Sequence, residues 1–221
     1  MIYGGSVDVF GHTAVSLLLG RAVAPRVELR TATTVAALCG GLLPDVDAIT
    51  YLWGADAFRR FHHLYTHNIV AFVVLPIAIG LLLNRAFGQR GALLVVAAGI
   101  GMASHLVGDV IGLWPLPLLV PFVDAKFGLG LLDQDFSLAL DLVLVVGAVV
   151  SFWDPVAESP RRLRGLCAVT CAAAAVAVCC SRVVSQKRSL KREKTIRNVS
   201  HFSLTRFLGA CHFVLFVATF P

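Results

Sequence analysis

Residues 69–113 read IVAFVVLPIAIGLLLNRAFGQRGALLVVAAGIGMASHLVGDVIGL, and the division of this stretch decides the fold. About 20 apolar residues, rising about 1.5 Å each, cross a hydrocarbon core of about 30 Å. Ile69–Phe87 meets that length, with a kink expected at Pro76. Gly91–Leu113 meets it again, after a tight turn flanked by Arg85 and Arg90. The two therefore predict an antiparallel transmembrane hairpin.

The second span carries His105 and Asp109, four residues apart and so on one helix face, one turn from each other. An ionisable pair inside an apolar span faces a cavity or a partner, which makes it a candidate functional site. The competing reading is a self-satisfied His–Asp hydrogen bond that only locks helix packing.

Immediately before the hairpin lies Gly41–Asn68, GLLPDVDAITYLWGADAFRRFHHLYTHN, with Asp45, Asp47, His62, His63 and His67 between strongly apolar segments. Imidazole and carboxylate are the usual ligands of zinc and similar divalent ions. Asp45 and Asp47 follow Pro44, which suits an extended or turn segment with both carboxylates aimed at one centre. His62 and His67 can converge only through a bend. The hairpin adds an independent argument: it returns His105 and Asp109 to the membrane face where His62 and His67 begin. Five of the seven histidines can thus meet three carboxylates at one place.

The rest of the chain agrees with a membrane setting. Of 221 residues, 57% are hydrophobic and 14% charged, and mean hydropathy is +0.81; a soluble domain carries about 25% charged residues. The fold class expected is an all-α, polytopic helical membrane protein. It has about four spans and two short N-terminal helices, His12–Pro25 and Thr31–Leu43, packed around a metal site. Met1–Phe10 lacks the basic region of a cleaved signal peptide. The remaining spans are Ser137–Trp153, carrying Asp141 as a metal-supporting or helix-capping carboxylate, and Gly165–Ser181. Trp114–Phe136 is expected as an interfacial loop on the site's face, and Asp154–Arg164 as a polar loop. The division is residues 1–153 as the membrane-embedded site domain, 154–184 as an additional span, and 185–221 as a basic tail with a short apolar end.

Net charge is +6, much of it in Lys187–Arg197, a run suited to anionic lipid headgroups. The six cysteines include no Cys-x-x-Cys pair and four lie in one apolar segment, so they read as small apolar side chains. His201 and His212 have no carboxylate companions. The site region lacks the basic stripe with interleaved aromatics that binds nucleic acid.

His12, Leu43-Pro44-Asp45-Val46-Asp47, His62–Asn68 and His105-Leu-Val-Gly-Asp109, in that order, resemble the YdjM-type family of predicted membrane-bound metal-dependent hydrolases. The resemblance covers His12 to Trp153. It implies an all-helical fold distantly similar to zinc-dependent phospholipase C and P1-type nucleases, which cleave phosphoesters with clustered zinc ions. By that resemblance His12, Asp45, His62, His67, His105 and Asp109 are metal ligands, and Asp47 is a ligand or the general base. The chain departs from the family pattern at His63, Leu64 and Asn68, where Arg, Gly and Ser stand in the family motif. If that Arg holds a substrate phosphate, Arg59 and Arg60, just upstream, could serve instead.

The function expected is a multi-pass inner-membrane, metal-dependent hydrolase. It would cleave a phosphoester or similar ester of an amphiphilic or lipid substrate through metal-activated water. Zinc is the first choice of ion, with two or more ions suggested by seven candidate ligands, and manganese or iron as alternatives. Membrane lipids are the expected partners. The competing functions are a metal or proton transporter, whose ligands would be spread through the membrane depth, and a non-catalytic protein with structural His/Asp pairs.

Overall fold

The computed structural model describes residues 9–88, 91–112, 115–132, 134–153, 156 and 159–193. Lys194–Pro221, with His201, His212, Cys211 and the end of the basic tail, lie outside the described residues, as do Arg90 and Trp114.

Seven α-helices make up the described chain: α1 Val9–Ala22, α2 Arg30–Leu42, α3 Ala55–Phe61, α4 Ile69–Phe87, α5 Gly91–Ile111, α6 Gln134–Val150 and α7 Pro160–Glu193. Short 3₁₀ segments, Val27–Leu29 and Leu43–Trp53, flank α2. An isolated antiparallel bridge joins Leu116 to Phe127 in the loop after α5. α2 packs between α1 and α5, α4 lies against α5, and α6 bridges α1 and α7. Three apolar clusters hold these helices together. Ala32, Ala36, Ile79, Leu94, Ala97 and Ala98 join α2, α4 and α5. Leu18 and Leu19 meet Cys167 between α1 and α7. Ala14, Leu140, Leu144 and Val178 join α1, α6 and α7.

Four segments are long and apolar enough to cross a membrane: Val27–Trp53, Ile69–Phe87, Gly91–Ile111 and Pro160–Ser181. The number agrees with expectation, but the membership differs. Thr31–Leu43 was too short as an α-helix alone; the 3₁₀ turn before it and the 3₁₀ helix after it extend it to 27 residues. A 3₁₀ helix also rises about 2.0 Å per residue. Conversely α6 is 17 residues long, about 25 Å at helical rise. It ends before Trp153, in a turn where Ser151 Oγ donates to the Ala148 carbonyl. Asp141 is buried two turns into α6 and so is no helix cap. Helix α7 begins at Pro160, placing Arg161, Arg162 and Arg164 in a helix where a loop was expected, and it runs unbroken past residue 185.

The α2–α5 contact sets the position of everything above it. A methyl group at Gly40 would overlap the Ala98 carbonyl oxygen, and one at Gly101 would overlap the Ala37 carbonyl oxygen. The reciprocal pairing brings the two backbones together, as small residues do between membrane helices. At Gly41 a methyl would overlap Ser16 Oγ of α1. The chain direction then puts the start of α1, the end of α2, the start of α4 and the end of α5 at one face of the bundle. Asn68 caps α4 by accepting from Ala71 N–H at 3.0 Å. The Pro-rich loop returns to the same face, with Ile69 N–H donating to the Leu118 carbonyl at 2.8 Å.

Because the obstacle at Gly101 is a backbone carbonyl and not a rotatable side chain, Gly101→Val is expected to destabilise by about 2 kcal/mol or more. Thermal unfolding in detergent measures this. A variant as stable as the wild type would mean that α2 and α5 do not make this contact.

Candidate metal centre

Four elements supply the cluster. His12 stands near the start of α1. Asp45 and Asp47 lie in the 3₁₀ helix after α2, and His62, His63 and His67 in the link from α3 to α4. His105 and Asp109 lie one turn apart at the end of α5. His67 sits just before Asn68, the cap of α4. The bend that brings His62 and His67 together is at His63, whose φ of +71° is left-handed.

The central contacts involve two imidazoles. His67 Nε2 and His105 Nε2 are 2.9 Å apart. Asp109 Oδ2 lies 3.3 Å from each, and Asp45 Oδ1 lies 3.7 Å from His67 Nε2 and 3.5 Å from His105 Nε2. His12 Nε2 is 3.3 Å from Asp109 Oδ1, and its ring lies over that of His105, with centroids 4.0 Å apart. The side chains of His67 and His105 are wholly buried, whereas Asp45 is 21% exposed.

Hydrogen bonding on the far side of each ring fixes its tautomer. His105 Nδ1 is 2.8 Å from the Gly41 carbonyl, which can only accept, so Nδ1 carries a proton. Thr66 Oγ1 is 2.7 Å from Asp47 Oδ2 and must donate to it. It therefore accepts from His67 Nδ1, at 2.9 Å. Both Nε2 atoms thus turn lone pairs toward each other and toward two carboxylates. Asp109 Oδ2, buried at the middle of this group, has no hydrogen-bond partner among the described residues. Such a set of acceptors requires a positive charge among them.

A divalent ion fits that requirement. Bonds of about 2.0–2.1 Å in tetrahedral array place ligand atoms about 3.3 Å apart, the separation seen here from Asp109 Oδ2 to both imidazoles. The groupings able to hold an ion are His12/His105/Asp109, Asp45/His67/His105, His63/His67/Asp109 and Asp45/His62/His63. Without an ion, a proton takes the place. Burial pushes the His67 pKa down, but the carboxylates of Asp109, Asp45 and Asp47 outweigh it and raise it from 6.5 to about 9. Burial beside His67 and His62 instead lowers His63 to about 3, keeping it neutral, the form in which imidazole ligates.

Asp45 and Asp47 do not point at one centre. Two residues along a 3₁₀ helix are about 120° apart around its axis, so Asp45 faces the Nε2 side of His67 and Asp47 its Nδ1 side. Asp47 accepts from His63 N–H at 2.8 Å and from Thr66 at 2.7 Å, and meets His62 Nδ1 at 2.6 Å. It belongs to none of the groupings that could hold an ion. It is the carboxylate that orients His62 and His67. His63 and Thr66 are the residues that sequence reasoning left outside the ligand and orienting sets. Arg60 extends over the Phe61 ring, 5.6 Å from its centroid; the Arg59 side chain lies outside the described residues.

Losing an orienting partner typically weakens metal affinity about 10–100-fold. Asp47→Asn is therefore expected to retain metal stoichiometry with weaker affinity, whereas Asp109→Asn loses the ion outright. Titration with a fluorescent metal chelator as competitor separates the two, and equal loss in both would make Asp47 a ligand.

No curated protein and no solved structure matches the chain. A family model does, that of the YdjM inner membrane protein, over residues 7–187. The match extends past Trp153 and well into α7, beyond the motifs. With the four apolar spans, it makes this chain a multi-pass inner-membrane member of the YdjM family.

Proposed function

We propose that the protein is a metal-dependent hydrolase that acts at one membrane face on a phosphoester or similar ester of an amphiphilic substrate. The observation that carries this is the pair of buried Nε2 lone pairs 2.9 Å apart, backed by Asp109 and edged by the partly exposed Asp45. His12, Asp45, His67, His105 and Asp109 would hold the ion. When bound, such an ion lowers the pKa of water from about 15.7 toward 7 and polarises the oxygen under attack.

The chain's own groups then divide the remaining work. Asp45, the most exposed carboxylate of the cluster, stands where substrate and water enter. Asp47 holds the imidazoles through His62 and Thr66. With three donors already on its oxygens, it has little capacity to accept a substrate proton, which favours an orienting role over that of general base. Tyr51, Leu52, Trp53 and Tyr65 are exposed around the same face; aromatic rings of this kind settle at the headgroup level and suit a substrate with an acyl or prenyl tail. Ligands gathered at one end of the bundle support hydrolysis over transport, which needs polar groups along the membrane depth.

Elemental mass spectrometry of the detergent-purified protein, with His105→Ala and Asp109→Ala beside it, is the first test. Stoichiometric zinc, manganese or iron that falls in both variants is expected, together with chelator-sensitive cleavage of p-nitrophenyl phosphate mono- or diesters. Folded, metal-free wild-type protein that cannot be reloaded overturns the reading.

A further inference from the structure

We propose that this chain holds a second divalent cation, outward of the first, on Asp45, His62 and His63. The inference rests on the hydrolase reading only in sharing Asp45 with its centre.

Three observations place it. First, one potential ligand atom from each of Asp45, His62 and His63 lies within 4.8 Å of the others. Three protein ligands with one position left open is the pattern of a reactive zinc site. Second, the His62 ring is already fixed: its Nδ1 is engaged by Asp47 Oδ1 at 2.6 Å, which leaves Nε2 as the ligating atom. A carboxylate behind an imidazole is the usual support of a metal-bound histidine. Third, His63 adopts φ +71°, a left-handed conformation that non-glycine residues uncommonly adopt. Through it the His63 ring lies against His62, with centroids 3.7 Å apart, and 4.3 Å from the His67 ring. The strained backbone is held by Asp47, which accepts the His63 N–H at 2.8 Å. One carboxylate thus orients the first ligand and fixes the turn that delivers the second.

The two positions differ in surroundings. The inner one is built on the wholly buried His67 and His105. The outer one uses His62, 13% exposed, and Asp45, 21% exposed. The outer ion is therefore expected to exchange faster and to be stripped first by chelator. Asp45, reaching both groups, is placed to bridge them.

The test is metal stoichiometry of the full chain in detergent after saturation with Zn²⁺ and removal of the excess. The wild type is expected to hold two equivalents and His63→Gly one, since glycine removes the imidazole while suiting the left-handed backbone. His63→Arg, which also removes the imidazole, is expected to hold one as well. With Mn²⁺, the paramagnetic resonance spectrum of the wild type should show coupling between neighbouring ions that is absent from both variants. One equivalent in the wild type, or two in a folded His63→Gly protein, overturns the second position while leaving the hydrolase reading intact. No metal in the wild type overturns both.

Discussion

Everything at the site depends on how closely α2 approaches α5. With Gly40 against the Ala98 carbonyl and Gly101 against the Ala37 carbonyl, no side chain separates the two backbones. The end of α2 is then carried to the side of His105. The last four carbonyls of any helix lack intrahelical partners, and in an apolar setting each needs a donor. Gly41 is one of these, and His105 Nδ1 is its donor. A single contact thus satisfies a helix end and leaves the Nε2 of His105 with a lone pair able to hold an ion. Larger residues at these positions would separate the helices and remove both effects.

The same economy of polar groups explains why the chain leaves regular α-helix between α2 and α4. A straight continuation of α2 would set Asp45 and Asp47 about 160° apart around the axis, at about 100° per residue. The 3₁₀ helix keeps rising while placing the two carboxylates on either side of His67. The link from α3 then turns back through His63, tied down by Asp47. Each departure from regularity is anchored by a hydrogen bond to a group that also orients an imidazole. This part of the chain is formed as much by the site's polar requirements as by apolar packing.

How much of this the sequence discloses follows from the physics of each element. The hairpin of α4 and α5 is legible because its signal is length and hydropathy, which need no tertiary information. The convergence of His62, His67, His105 and Asp109 is legible because the antiparallel hairpin forces it, whereas His12 enters only through the family resemblance. The long span through α2 is not, since neither Thr31–Leu43 nor the polar stretch after it looks long enough alone, and their fusion depends on a 3₁₀ helix with no distinct periodicity. The division of labour between Asp45 and Asp47 is hidden because a Pro-Asp-x-Asp string suits an extended turn, in which residues two apart share a side, as well as a helix, which separates them. His63 stands in the same string as His62 and His67, but nothing in that string marks it as a ligand. Its role depends on a left-handed backbone that non-glycine residues seldom adopt, and no local pattern announced it.

The arrangement also limits how the centre can communicate with its surroundings. His67 and His105 are sealed by α1, α2 and α5, and Asp109 is held between them and His12. The inner group therefore opens outward past Asp45, where the side chains of the 3₁₀ helix and the His62–His67 link form the rim. That rim carries Trp53 and Tyr65, both largely exposed, so the approach to the polar centre is through an apolar margin. A purely structural His/Asp lock needs no exposed carboxylate and gains nothing from an opening to the outside. The cluster instead grades from wholly buried imidazoles to a carboxylate that is 21% exposed, which leaves a route by which an ion could reach ligand atoms otherwise closed off.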